Sequence, residues 1–157
     1  MAFRVLSDLM RGQKAQIPKY CFTTHQRLKE VEEVEPTEII MFEGIMALYD
    51  PRIRNLMKYK IFIHCDGKSN VKSDDIRLCR RIKRDVKERG RTVENVLHQY
   101  YKFVKDAYRD FVYPTIRYAD LIVPGNRNNN VSVDFIVRHM KNMTREMYLR
   151  WLTQTIL

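Results

Sequence analysis

Between Arg77 and Arg91 the chain carries eight bases, Arg77, Arg80, Arg81, Lys83, Arg84, Lys87, Arg89 and Arg91, against two acids, Asp85 and Glu88. Wound as a helix at about 100° per residue, Arg77, Arg80, Arg81, Arg84 and Arg91 fall within an arc of about 100°. Leu78, Cys79, Ile82 and Val86 fall opposite, so one face is expected to pack while the other presents guanidinium forks. Arginine outnumbers lysine here, which suits two-pronged capture of phosphate oxygens. A clamp on a nucleotide phosphate, a nucleic-acid contact and an ordinary solvated face are all open to such a helix. The scarcity of aromatics among these arginines speaks against nucleic acid.

Upstream, Tyr20 and Phe22 precede His25. Two aromatic faces and an imidazole suit a planar heterocyclic base; a plain edge hairpin would carry the same residues. Glu43 closes the short apolar run Ile39-Ile40-Met41-Phe42 just before Gly44. An acid at the end of a buried strand can serve Mg²⁺ beside phosphates, and it can equally be a surface carboxylate. His64, Cys65 and Asp66 are metal ligands by type, but neighbours on a strand point to opposite faces. Gly67-Lys68-Ser69 lacks the glycine five positions earlier that a phosphate-cradling loop needs, because Phe62 stands there. His98 and His139 lie in helical patterns and read as packing or surface residues.

These residues need a frame. Phe3, Leu6, Leu9 and Met10 have helical spacing, with Gly12 as a natural stop. The stretch from Gln16 to Phe22 reads as an extended segment that Pro18 confines to an edge, and Leu28 to Glu35 as its hairpin partner. The five glutamates from Glu30 to Glu38 read as a solvated face. Buried parallel strands are expected from Glu38 to Gly44, from Lys58 to Ile63 and from Ala119 to Pro124. Helices are expected from Pro51 to Met57, Asp74 to Glu88, Thr92 to Tyr113 and Ser132 to about Thr153. In the third of these, Val93, Val96, Leu97, Tyr100, Val104, Ala107, Tyr108 and Phe111 form one stripe. In the last, the apolar set is Phe135, Ile136, Met140, Met143, Met147 and Trp151. The alternation predicts an α/β fold, a parallel sheet flanked by helices.

The 157 residues suffice for one domain, and 45% hydrophobic with 31% charged residues excludes a disordered chain. A formal net charge of +10 points to an anionic partner. Cys21, Cys65 and Cys79 are odd in number and lack metal-ribbon spacing, which fits a reducing compartment and a cytoplasmic protein. No apolar run is long enough for a membrane helix.

In combination, several stretches resemble uridine-cytidine kinase, the P-loop nucleoside kinase of pyrimidine salvage, from about Phe3 to Met140. They are Gln16-Ile17-Pro18, Tyr20-x-Phe22-x-x-His25-x-Arg27, Phe42-Glu43-Gly44-Ile45 and Arg77-Leu78-x-Arg80-Arg81-x-x-Arg84-Asp85. Glu88-Arg89-Gly90-Arg91, Gln99-Tyr100-x-x-Phe103-Val104-Lys105, Pro114-Thr115 and Tyr118-Ala119-Asp120 complete the set. The resemblance implies a P-loop kinase-like sheet with an edge hairpin over residues 14–36 that binds nucleoside, and an arginine-rich lid over 74–92. It implies transfer of the γ-phosphoryl of ATP to the 5′-hydroxyl of uridine or cytidine, in a homo-oligomer. Tyr20, Phe22 and His25 would hold the pyrimidine. Arg81, Arg91 and Gln99 would contact the nucleoside, and Arg84 and Arg89 the migrating phosphate. Glu43 would serve Mg²⁺, and Asn128 would lie near the adenine, where the family usually has Asp.

Other departures accompany these matches. Cys21 replaces the usual Asp between the two aromatics, His64-Cys65-Asp66 replaces Asp-Thr-Asp, and Pro124-Gly125-Asn126 replaces Pro-Arg-Gly. Gly67 to Ser73 reads as an insertion. The family's first strand, phosphate-binding loop and catalytic aspartate would precede Phe3. The expectation is therefore one incomplete kinase domain over 1–157, inactive alone. A non-catalytic paralogue that binds nucleosides or an active subunit, and a basic RNA-binding module, are the alternatives.

Overall fold

The computed structural model describes residues 1–65, 73–125 and 129–156, with side chains as far as 147. Helix α1, Ala2–Met10, buries Leu6 and Leu9 against the first strand and ends where Gly12, at φ +76°, turns the chain. That positive φ is cheap for glycine, which has no Cβ to clash.

Strands β1 (Ala15–Cys21) and β2 (Gln26–Val34) form an antiparallel hairpin. The ladder runs from Ala15↔Val34 to Pro18↔Val31, then shifts register before Tyr20↔Arg27. The shift follows Pro18, which has no N–H to give a ladder. His25 closes the turn at φ +58°, in the left-handed region that few non-glycine residues enter. The glutamate face of β2 is exposed as expected; Lys14 meets Glu33 (3.1 Å) and Glu35 (2.6 Å), and Lys19 meets Glu30 (3.4 Å).

Residues 38–44 join no ladder among the described residues, so the strand expected to end at Glu43 is not formed. A buried parallel strand needs a neighbour to take its amides and carbonyls, and none of the described strands lies beside this run. Met41 stays exposed. Helix α2 is only Pro51–Arg54, shorter than the spacing predicts. Its entry holds as expected, with Pro51 in the first turn and the Asp50 carboxylate accepting from the Arg52 amide.

Strands β3 (Ile61–His64) and β4 (Leu121–Pro124) pair in parallel, Ile61↔Leu121 through His64↔Pro124. Asp120 fixes the register: its carboxylate accepts from the Lys60 amide (2.8 Å) and its own amide donates to the Lys60 carbonyl (2.8 Å). The parallel sheet among the described residues has these two strands, fewer than the alternating pattern predicts.

The crossover between them holds α3 (Ser73–Arg89) and α4 (Val93–Gln99), which pack on each other. Thr92 caps α4 by accepting from Asn95. Beyond Gln99 the single regular helix predicted to Tyr113 does not hold. The chain continues as a π segment, Tyr100–Val104, one α turn, α5 (Lys105–Ala107), a second π segment, Tyr108–Val112, and a 3₁₀ stretch, Tyr113–Tyr118. Each π segment inserts a residue per turn and rotates the stripe. Val112 and Thr115 are buried in consequence, while Phe111, the expected end of the stripe, is exposed.

The two faces of α3 are also not as the wheel predicts. Cys79 and Val86 are exposed, and the buried residue of this helix is Asp85. Helix α6 (Asn130–Ile156) begins two residues earlier than Ser132 and turns Ile136, Met140 and Met143 partly inward, but Phe135 outward. The buried apolar set is small: Leu6, Leu9, Ala15, Leu48, Ile53, Phe62, Val96, Tyr100, Val112 and Val123.

Candidate functional site

The tip of the β1–β2 hairpin meets the C-terminal end of α3 and the end of α4. Asp85 sits at this junction, fully buried, with four guanidiniums around it. Its Oδ1 accepts from Arg84 Nε (2.8 Å) and Arg89 Nη1 (3.1 Å), and its Oδ2 from Arg91 Nη1 (2.8 Å). Arg81 Nε lies 3.7 Å from Oδ2. Four positive charges about one carboxylate leave an excess of three. Burial pushes the Asp85 carboxyl up, but the Arg84 hydrogen bond and the charges of Arg84, Arg81 and Arg89 outweigh it and hold the group below its ordinary range. Burial likewise pulls Arg81 down, against the attraction of Asp85 and with the repulsion of Arg91, Arg84 and Arg89.

The arginine row divides by task. Arg77 pairs with Asp74 and stacks on Tyr108 at 3.8 Å, and Arg80 donates to the Gly125 carbonyl (3.0 Å) beyond β4. These two serve packing. Arg81, Arg84, Arg89 and Arg91 face the hairpin junction, and Arg84 is the most exposed of them at 44%.

The hairpin contributes Tyr20, Phe22 and His25. Tyr20 and Phe22 meet edge to face at 5.3 Å, both exposed, and the Arg89 guanidinium lies over the Phe22 ring at 4.1 Å. Arg91 Nη2 donates to the Phe22 carbonyl (3.2 Å) and contacts His25 Nδ1 (3.2 Å). On the other side of the ring His25 Nε2 lies 3.3 Å from Gln99 Nε2, and Gln99 Oε1 accepts from Arg81 Nη2 at 3.3 Å. A guanidinium can only donate, so His25 Nδ1 is the acceptor and the ring proton sits on Nε2. The row Arg81–Gln99–His25–Arg91 thus has donors at both ends. Whichever way the Gln99 amide is turned, one of its contacts sets donor against donor. Two such donors at 3.3 Å are close enough for one carbonyl oxygen beside them to accept from both.

Of the residues singled out from sequence, the structure gathers Tyr20, Phe22, His25, Arg81, Arg84, Arg89, Arg91 and Gln99. Glu43 is not among them; it is exposed on the unpaired run. Asn128, Asp66 and Gly67-Lys68-Ser69 lie outside the described residues. His98 is exposed, and His139 meets Tyr59 edge to face at 4.7 Å, as the helical patterns imply. Cys21, at the end of β1, has its thiol pulled down by hydrogen bonds from Thr24 and Thr23. Sequence reasoning missed the part played by Asp85. Its signal was an acid directly after Arg84 in a run otherwise almost wholly basic.

A profile of the Phosphoribulokinase / Uridine kinase family matches residues 1–132. The chain belongs to that family. The match takes in the hairpin, α3, α4 and β4. Among family members, uridine-cytidine kinase A of Dictyostelium discoideum is 45% identical over 143 residues, 91% of this chain and 27% of that one. A uridine kinase of Ligilactobacillus salivarius is 45% identical over 141 residues, 90% of this chain and 63% of that one. Uridine-cytidine kinase-like 1 of Mus musculus is 42% identical over 144 residues, 92% of this chain and 25% of that one. The chain thus spans from a quarter to under two-thirds of the length of these relatives. Among its described residues no helix is long and apolar enough to cross a membrane.

Proposed function

We propose that this chain forms the nucleoside side of a uridine/cytidine kinase, a protein of pyrimidine salvage that phosphorylates the nucleoside 5′-hydroxyl. The supporting observation is the row Arg81–Gln99–His25–Arg91, which joins three chain segments and sets two N–H donors against each other, an arrangement suited to a carbonyl acceptor. Uracil and cytosine both carry such a carbonyl. In this reading Tyr20 and Phe22 flank the base, His25 reads its polar edge, and Arg81, Arg91 and Gln99 hold the nucleoside. Arg84 and Arg89 would meet the phosphoryl group, a role supported by the excess of positive charge around Asp85. ATP is the phosphoryl donor in this reading, and the residues named act on the acceptor side.

Mg²⁺ is held through carboxylates and phosphate oxygens. Among the described residues no three His, Cys, Asp or Glu side chains converge, and Glu43 is a single exposed carboxylate. That set does not fit a resident ion.

Calorimetric titration of the chain with uridine and cytidine tests the proposal. Saturable binding of either, abolished or strongly weakened in Arg81→Ala, is expected. A folded chain that binds neither nucleoside, yet binds RNA with a steep loss of affinity in salt, would replace it with a nucleic-acid reading.

A further inference from the structure

We infer that Asp85 is a positioning residue, whose buried carboxylate fixes the Arg91 guanidinium so that His25 is held as an Nδ1 acceptor at the hairpin tip. Arg91 is gripped twice by this one residue. Its amide donates to the Asp85 carbonyl (3.1 Å), where Gly90 at φ +64° turns the chain back. Its Nη1 donates to Asp85 Oδ2 (2.8 Å). With both ends of the side chain set, Nη2 is left facing the hairpin, where it reaches the Phe22 carbonyl and His25 Nδ1, each at 3.2 Å. Arg91 is accordingly 10% exposed, the least of the four arginines.

A long arginine side chain loses much rotamer freedom when ordered. Asp85 orders it before any ligand arrives, so the His25 contact does not have to. Asp85 Oδ1 does the same for Arg89, whose guanidinium then covers Phe22. One fully buried carboxylate thereby sets both the ring and the imidazole of the proposed base site. What His25 then does rests on the nucleoside reading above; the link from Asp85 to His25 does not.

The link is testable without substrate. Long-range proton–nitrogen NMR of the ¹⁵N-labelled 157-residue chain reports which imidazole nitrogen carries the proton. In the wild type His25 should show an unprotonated Nδ1 and a protonated Nε2. In Asp85→Asn, and equally in Arg91→Lys, it should move toward the mixed tautomers of exposed His98, while His98 itself stays unchanged. Uridine affinity should fall roughly tenfold, the scale of one charge-assisted hydrogen bond. A His25 signal that does not move in Arg91→Lys, or in a folded Asp85→Asn chain, overturns the inference. If Asp85→Asn fails to fold by circular dichroism, Arg91→Lys carries the test. A His25 signal that responds in a chain binding no uridine upholds the link and overturns the nucleoside reading.

Discussion

The arginine junction and the β3–β4 pair handle their defining residues in opposite ways. Around Asp85, charged side chains that sequence reasoning would leave in water are drawn in and paired, with the acid fully buried and Arg91 nearly so. In β3–β4, residues that belong in a core are left out: Ile63 is 70% exposed and Ile122 53%, and Met41 of the unpaired run is exposed as well. The difference lies in the range of the forces. The Asp85 carboxylate finds its guanidiniums within six residues along the chain. A parallel strand is buried only when neighbouring strands and helices cover both faces. Assembly of the polar site therefore does not depend on a wide sheet beneath it.

If that contrast is sound, the largest effect belongs to Asp85. Asp85→Ala leaves four guanidiniums facing one another and should cost about 3–5 kcal/mol in urea unfolding, as removal of one partner of a buried ion pair does. The pH dependence sharpens this. Because the folded-state value of Asp85 is depressed, its contribution is fully present above the ordinary carboxylate range and is lost as pH falls through the lowered value. Wild type and Asp85→Asn should thus differ in stability near neutrality, begin to converge only as pH falls past about 4, and meet below the depressed folded-state value.

The apolar half of the comparison is read by two substitutions. Val96, fully buried in α4, should cost about 2 kcal/mol on change to Ala, whereas Ile63→Thr should stay within about 0.5 kcal/mol. Equal costs in urea unfolding would mean that β3 is covered after all. His25→Ala comes next: it removes the acceptor for Arg91 and should weaken uridine binding roughly tenfold by calorimetry, with little change in the unfolding midpoint. The smallest effect is at Asp50, the cap of α2. The hydrogen bonds of Arg52 hold its carboxyl down to about 2, so NMR titration should show it ionised until pH falls well below the usual 3.8. Its helix-capping contribution should fade over that same interval as acid is added.

Much of the frame was legible in residue types. Pro18 and the alternation after Leu28 marked an edge hairpin, and the spacing of Leu6 and Leu9 marked α1, because these are local rules of hydrogen bonding and periodicity. The run from Ile39 to Phe42 has strand-like composition, yet strand formation needs a partner that composition cannot supply. At about 3.6 residues per turn the stripe after Gln99 runs on to Phe111, but two π segments rotate it and put Val112 inside instead. The helical wheel set arginines on one face of α3 and apolar residues on the other. It could not show that a hairpin would close over that face and turn an acid into its buried centre.

The sequence by itself determined the kinds of groups this protein would bring to a ligand: guanidiniums in helical register, two aromatics and an imidazole just beyond a proline-marked strand. The tertiary structure alone decided which of those guanidiniums face the imidazole, which merely pack, and that Asp85 organises them. Register along a helix follows from chain geometry, but pairing between distant segments depends on how those segments dock.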